Sequence, residues 1–558
     1  MLAQPDKGLI GPNHEFKTHT LPVAILLFIC FWSFFYNTGT IELNSMEARN
    51  LVTAREMRLY DHWLVPTMNG SIRIAKPPLP TWIAALVSTS AGGSENMSLM
   101  RMPNALAALL LVLMAYGLVW TLSKDRTLAF IAAAMLASNF LVMKVGQRAM
   151  WDIFCHSLML GALWAFVDGI RNNRGWPKFA LAGLLMGLSF MSKGPVSFFA
   201  LMLPFTVSYL WIYGRSDLLS KWPHIVMAFL LCISISSLWP LYILYFHPEA
   251  LIETAAAESQ AWVGRHVKEL GYYLGFSSYS GLWLVMTLAA LVKPFAEKRV
   301  RSVPDYRFFL LWLVLEIVLL SAVPEKKYRY LLPAMIPMAL LAATLFRGLM
   351  DRYAAGTEQA WDRRLLIIQL CWLTLVGALL PAIMQHRMQA MNADADPLLI
   401  GILAAIALLL VAASWYLFRL RHLMGLFLLI SVQYCVIAFV FMDYYRDLEI
   451  TNPEFKTMDQ LDPARLPRNV QIFLIQNYDG TKYAWDLKRT VRPWRLEEVK
   501  PILDSGGQVA VITIADPYRT MAEEYPGKVE ISIVGRFDYD ENHPQDEKTF
   551  LILVRAKE

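Results

Sequence analysis

The chain has 558 residues, of which 56% are apolar and 17% charged, with a mean hydropathy of +0.41. Soluble globular proteins hold roughly 45–50% apolar residues, so this composition excludes a soluble enzyme and requires a membrane protein. The net charge of +6 sits mainly in short connectors and implies no nucleic-acid partner.

A helix that crosses the hydrocarbon needs about 20 mostly apolar residues, because lipid offers no partner to an open backbone group. Crossings are predicted near residues 20–38, 103–121, 127–144, 153–170, 178–191, 195–213 and 223–245. They continue near 276–292, 308–323, 331–346, 365–384, 398–416 and 423–441, roughly thirteen in all. The long continuous runs do not fit the short alternating strands of a β-barrel. The first run is aromatic-rich and lacks a small-x-small cleavage site, so it reads as an uncleaved first helix.

Leu79–Ala91 is apolar but short, and ends in Ser90-Ala91-Gly92-Gly93, which predicts an interfacial or re-entrant helix. Lys and Arg concentrate in alternate connectors, among them Lys124/Arg126, Arg171/Arg174/Lys178, Arg299/Arg301/Arg307 and Arg347/Arg352. That bias predicts a cytoplasmic N-terminus, and an odd number of crossings then puts the C-terminal segment outside. All five cysteines lie in apolar spans without metal-ligand spacing and read as buried small hydrophobes.

The outer connector at 39–101 holds most of the residues able to do chemistry. Ser45–Tyr60 has an N-cap at Asn44 or Ser45 and apolar Leu51, Ala54 and Met57 at helical spacing, so it reads as a helix lying on the interface. Lys76-Pro77-Pro78-Leu79-Pro80 fixes the backbone where a cation meets the membrane boundary, which suits an anionic headgroup. Arg148 and Asp152, Lys193-Gly194-Pro195, and Glu325-Lys326-Lys327-Tyr328-Arg329-Tyr330 fall on the same face. Positive clusters there run against the topology bias, as a phosphate site at the interface would require.

Glu47 and Asp152 are the carboxylates best placed to take a proton, although an acid at a helix N-terminus is also favoured by the dipole alone. The loop 247–275 adds His247, Glu253, Glu258, Arg265, His266 and Lys268. Glu258 and His266 are weak candidates for a divalent metal ion, a cofactor the sequence does not require, since a single His is more often a surface residue than a ligand. From about Asp443 the composition turns polar, with strand-like runs at 470–475, 508–514, 529–536 and 549–554 and helix-like runs at 496–503 and 517–525. This divides the chain into a membrane domain (1–442) and a small α/β domain (443–558).

Glu47-Ala48-Arg49, Ala54-Arg55-Glu56-Met57, Asp61-His62-Trp63-Leu64-Val65-Pro66 and Lys76-Pro77-Pro78-Leu79-Pro80-Thr81-Trp82 together resemble the first outer loop of the bacterial ArnT and protein O-mannosyltransferase-like glycosyltransferases. Asp152, Lys193-Gly194-Pro195 and Tyr330-Leu331-Leu332-Pro333 look like the later landmarks of that family, in the same order.

The resemblance implies an all-α polytopic GT-C fold and transfer of a sugar from a polyprenyl-phosphate carrier to a lipid (lipid A-like), protein or glycan acceptor at the periplasmic face, with inversion. It implies that Arg49, Lys76, Lys193, Lys327, Arg329 and Tyr330 hold the carrier phosphate and that Glu47 or Asp152 is catalytic. Two departures bear on this. Met46 stands where many members have an acid, leaving the base open among Glu47, Asp152 and Glu42. Ala75 stands where many aminoarabinose transferases have Glu, which argues against carrying over lipid A specificity or a bound metal. The competing reading is a transporter or flippase of lipid-linked sugars, which inverted repeats and mid-membrane ionisable residues would favour.

Overall fold

In the computed structural model the described residues are 16, 18–264, 266–390, 397–444, 450–475, 480–514, 516–525 and 528–557. Arg265, named above, lies outside them. Each of the thirteen apolar segments falls on helix. Among the described residues, eight helices are long and apolar enough to cross a membrane, nine if the bent pair Arg126–Ala137 and Phe140–Gly146 is one span. That pair bends by 64° at Ser138-Asn139, where the Asn139 side chain accepts the Leu141 and Val142 N–H groups and restarts the helix. Helices Trp176–Lys193, Val303–Ala322 and Met335–Ala354 have 18 to 20 residues but carry charges such as Lys178, Glu316 and Arg347. Met335–Ala354 is buried along almost its whole length and forms the centre of the bundle.

The Met97–Ser123 helix has 27 residues, so its ends stand about 35–40 Å apart. One end carries Arg101. The other leads to Asp125, which pairs with Arg301 at 2.7 Å and Arg347 at 2.9 Å. The charge clusters of the sequence therefore sort to two ends of the bundle.

At the Arg101 end lie the Ser45–Tyr60 helix, a two-strand hairpin of β1 (Thr67–Met68) and β2 (Ser71–Ile72), and the Leu79–Ser90 helix. The last has 12 residues, too few for a crossing, and Thr81 hydrogen-bonds Asn50 of the Ser45–Tyr60 helix at 2.7 Å. The C-terminal region forms a five-stranded sheet of β3 (Gln471–Leu474), β4 (Val491–Pro493), β5 (Gln508–Thr513), β6 (Val529–Phe537) and β7 (Thr549–Ala556), in the order β4-β3-β5-β7-β6. β3 pairs parallel with β4 and β5, and β7 antiparallel with β5 and β6. Arg55 docks this region onto the Ser45–Tyr60 helix. It donates to the carbonyls of Ala484 (2.7 Å) and Trp485 (3.1 Å), lies 4.6 Å from the Trp485 ring, and pairs with Glu95 at 2.6 Å.

Candidate active site

The Ser45–Tyr60 helix starts at Asn44, whose side chain accepts the Glu47 N–H at 2.9 Å. Glu47 then points inward. Its carboxylate receives two nitrogens of Arg101 at 2.7 and 2.8 Å and the Ala149 N–H at 2.8 Å, with Arg148 at 3.9 Å. Arg101 also donates to the carbonyls of Thr38 and Ile41, and both partners of the pair are fully buried. Burial opposes ionisation of Glu47, but Arg101, Arg148 and the Ala149 N–H outweigh it and hold the carboxyl below its usual range. The structure thus puts Glu47 in a clamp between the outer helix and the bundle, outside the cavity described next.

Two residues further along, about half a turn round the helix, Arg49 faces a cavity of about 670 Å³. Its wall takes residues from the hairpin and the Lys76 segment, and from the Asp152 start and the Lys193 end of two bundle helices. Six cations line it, Arg49, Arg73, Lys76, Lys193, Lys327 and Arg329, against the three carboxylates Asp152, Glu258 and Glu325. Apolar Val196, Phe199, Ala200, Leu320 and Val323 complete the wall, so charge and grease meet in one space.

Each charge has a local reason for its place. Asp152 is the first residue of the Asp152–Arg171 helix, where the dipole favours an acid. Lys193 is the last residue of the Trp176–Lys193 helix, which stops because Gly194 takes φ +70° and Pro195 cannot continue it. These two ends bring Lys193 Nζ onto Asp152 Oδ1, while Arg329 reaches Oδ2 at 3.8 Å. The Tyr330 ring is shared by three cations, with Lys193, Arg329 and Lys327 at 5.1, 5.6 and 5.8 Å from its centre. Lys327 pairs with Glu325 at 2.7 Å, and Tyr273 fixes the Lys327 backbone through its hydroxyl.

Lys76 reaches Glu258 at 3.1 Å, both partly buried. Burial, helped by Lys193 and Arg73, pulls the Lys76 ammonium below its usual range against the opposing effect of Glu258. His266 is exposed and absent from the cavity wall, and its carbonyl accepts the Lys326 N–H at 3.1 Å. Glu258 is committed to Lys76, and no group of three or more His, Cys, Asp or Glu among the described residues could hold a metal ion. These donors do not fit a metal site. Glu42 also lies away from the cavity; burial first, then Glu541 and Asp459, raise its carboxyl above the usual range against Lys482.

Seven of the predicted site residues thus share one cavity: Arg49, Lys76, Asp152, Lys193, Lys327, Arg329 and Tyr330. Glu258 joins them, whereas Glu47 and His266 do not. Arg73 and His156 line the cavity too, without having been singled out in the sequence. Arg73 stacks over Trp151 at 5.2 Å. His156 is 2% exposed and its Nδ1 has no hydrogen-bond partner among the described residues. The signal for His156 was a lone polar residue four positions after Asp152, hence on the same helix face.

Residues 75–239 match the family described as dolichyl-phosphate-mannose-protein mannosyltransferase. An undecaprenyl phosphate-alpha-4-amino-4-deoxy-L-arabinose arabinosyl transferase of Sodalis glossinidius is 29% identical over 64% of this chain and 64% of its own length. That of Pseudomonas savastanoi pv. phaseolicola is 29% identical over 53% and 56%. The aligned region spans a little over half to just under two thirds of these curated relatives. Among solved structures, ArnT from Cupriavidus metallidurans bound to undecaprenyl phosphate superposes with a TM-score of 0.68 at 16% identity, covering 95% of this chain and 97% of that one. The fold is the ArnT fold, and the likeness in fold covers nearly the whole chain.

Proposed function

We propose that the protein is a multi-pass membrane glycosyltransferase that moves a sugar from a polyprenyl-phosphate carrier to an acceptor at the outer face of the bacterial inner membrane. One observation carries this reading: a single cavity joins an excess of fixed cations to an apolar wall. A lipid phosphate needs both, charge-assisted donors for its oxygens and a greasy channel for the chain next to them. The names of the curated relatives, undecaprenyl-phosphate arabinosyl transferases, support the same donor class.

In this reading Arg49, Lys76, Lys193, Lys327 and Arg329 hold the carrier phosphate, with Tyr330 fixing the last three cations around one ring. As the bond from the anomeric carbon to the phosphate oxygen breaks, charge grows on the phosphate, and these preorganised cations lower the barrier. The acceptor oxygen attacks the opposite side of that carbon, with inversion. Asp152 is the carboxylate placed to take the acceptor proton, and Glu47 is a positioning residue that fixes the helix carrying Arg49. The positive excess of the cavity favours a second reading of the acceptor, an oxyanion that needs no base. Residues 1–442 would form the membrane domain, and 443–558 a domain over the outer mouth.

The test pairs purified protein with undecaprenyl-phosphate-linked sugars, and compares by mass spectrometry the lipid A, glycoproteins and envelope glycans of cells with and without the gene. Transfer should consume the donor and add its sugar to one acceptor class. A donor that crosses the membrane unchanged would establish the transporter instead. Asp152→Asn separates the two acceptors: with a base, transfer falls about 10²–10⁴-fold while carrier binding persists, and with an ionised acceptor the rate keeps its pH profile.

A further inference from the structure

A second cavity, of about 550 Å³, lies between the far half of the Ser45–Tyr60 helix and the C-terminal sheet. The β1–β2 hairpin separates it from the first: Met68 and Arg73 face the first cavity, Thr67 and Gly70 the second. Arg468, Lys488, Arg489 and Arg492 approach from the C-terminal side. Arg489 donates to the carbonyls of Pro467 (2.9 Å), Arg468 (3.0 Å) and Val470, with no carboxylate among its partners in the described residues. Arg492 meets only Glu498, at 4.0 Å and in solvent.

The one carboxylate on this wall is Glu56. It is 2% exposed; its Oε2 accepts from the Thr67 hydroxyl at 2.7 Å and the Gly70 N–H at 3.3 Å, and its Oε1 has no partner among the described residues. A buried acceptor left open is costly, and a ligand donor would relieve it. Four cations from the C-terminal side, with Arg55 beside them already paired to Glu95, and one open acceptor call for a molecule with an anion at one end and a hydroxyl at the other.

We propose that this cavity binds a phosphorylated sugar or polyol, its phosphate on the Arg468, Lys488 and Arg492 side and a hydroxyl on Glu56. The inference does not rest on the glycosyltransferase reading. Arg49 and Glu56 sit seven residues apart on one helix, about 10 Å, so the two cavities are neighbours with separate walls.

Calorimetry on the full-length protein in detergent, titrated with glucose 6-phosphate, glucose and inorganic phosphate, tests it. A parallel arm uses nanodiscs with phosphatidylinositol 4-phosphate against phosphatidylcholine. Arg468→Ala with Lys488→Asn should weaken binding at least about tenfold. Both positions are exposed, and Asn accepts the left-handed backbone of Lys488 (φ +52°), so the fold should survive, as a melting curve will report. Glu56→Gln should weaken glucose 6-phosphate more than inorganic phosphate, and Lys76→Ala should leave glucose 6-phosphate binding unchanged. Binding in solution assigns a free ligand, and binding in the nanodisc alone a membrane-borne one. The proposal is overturned if neither probe binds, if the double variant binds normally, if Glu56→Gln weakens both ligands equally, or if Lys76→Ala abolishes binding and so moves it to the first cavity.

Discussion

Glu47→Gln separates a clamp from a catalyst. In the wild type the carboxylate neutralises a fully buried Arg101, accepts three hydrogen bonds from Arg101 and Ala149, and lies 3.9 Å from Arg148. The amide keeps the size but removes the charge, and turns one acceptor into a donor that faces either a guanidinium or an N–H. Breaking a buried pair by altering one partner costs about 3–5 kcal/mol, and the isolated guanidinium has no route to water. The loss should appear in chemical denaturation of the detergent-solubilised protein at pH 7.

The pH dependence gives a second reading of the same pair. The folded Glu47 carboxyl is held below its unfolded value. Its stabilisation is therefore fully present above about pH 4.3 and is lost as pH falls through the folded value. The Gln variant should show a correspondingly flatter acid limb. Transfer per folded molecule, measured below the lowered melting temperature, should stay within about threefold of wild type, well short of a lost base. Unchanged stability together with a transfer rate down by about 10²–10⁴-fold would refute the clamp and restore Glu47 as the base.

Lys76→Ala should weaken carrier binding about tenfold or more, the loss of one charge-assisted contact. Because burial depresses the wild-type ammonium, binding should fade at a lower alkaline pH than an ordinary lysine would allow, and Lys76→Arg should extend that limb upward in a carrier-binding titration. Arg55→Ala should cost about 1.5–3 kcal/mol at the junction with the C-terminal sheet, since it leaves Glu95 with Arg58 alone, at 3.8 Å, and opens two carbonyls; limited proteolysis should then release the C-terminal region faster, and an unchanged rate would show that the junction is held elsewhere. Asp486 is pushed up to about 7 by burial, with Asp459 and Glu42 adding repulsion. A raised carboxyl stabilises the fold at acid pH and loses that contribution between about pH 4 and 7, so Asp486→Asn should flatten the loss of stability across that window while keeping an acceptor for the Tyr539 hydroxyl, which lies 2.6 Å from Asp486.

The amino-acid sequence by itself determined most of the helices and pointed to most of the charged residues that line the cavity. Apolar runs of spanning length can only be helices in lipid, and the predicted runs fall on helix, eight or nine of them, among the described residues, long and apolar enough to cross. The strands and helices of the C-terminal region were legible from alternation and turn residues, except β4, a three-residue edge strand ending at Pro493, and the six-residue helix Thr481–Asp486, both with too few residues to show a period. Lys76, Lys193 and Arg329 were visible because proline, glycine and helix ends fix where their backbones stop, and such punctuation is local.

Partnership was decided only in the tertiary structure. Glu47 and Asp152 look alike in the sequence, each an acid in the first turn of a helix. Glu47 meets Arg101, 54 residues away, and is sealed in; Asp152 meets Lys193, 41 residues away, and opens on the cavity. The wall of the second cavity joins residues more than 400 positions apart, Glu56 with Arg468 and Lys488. Local periodicity carries no information across such separations, because which charge neutralises which is settled by how the helices pack and by where water is excluded.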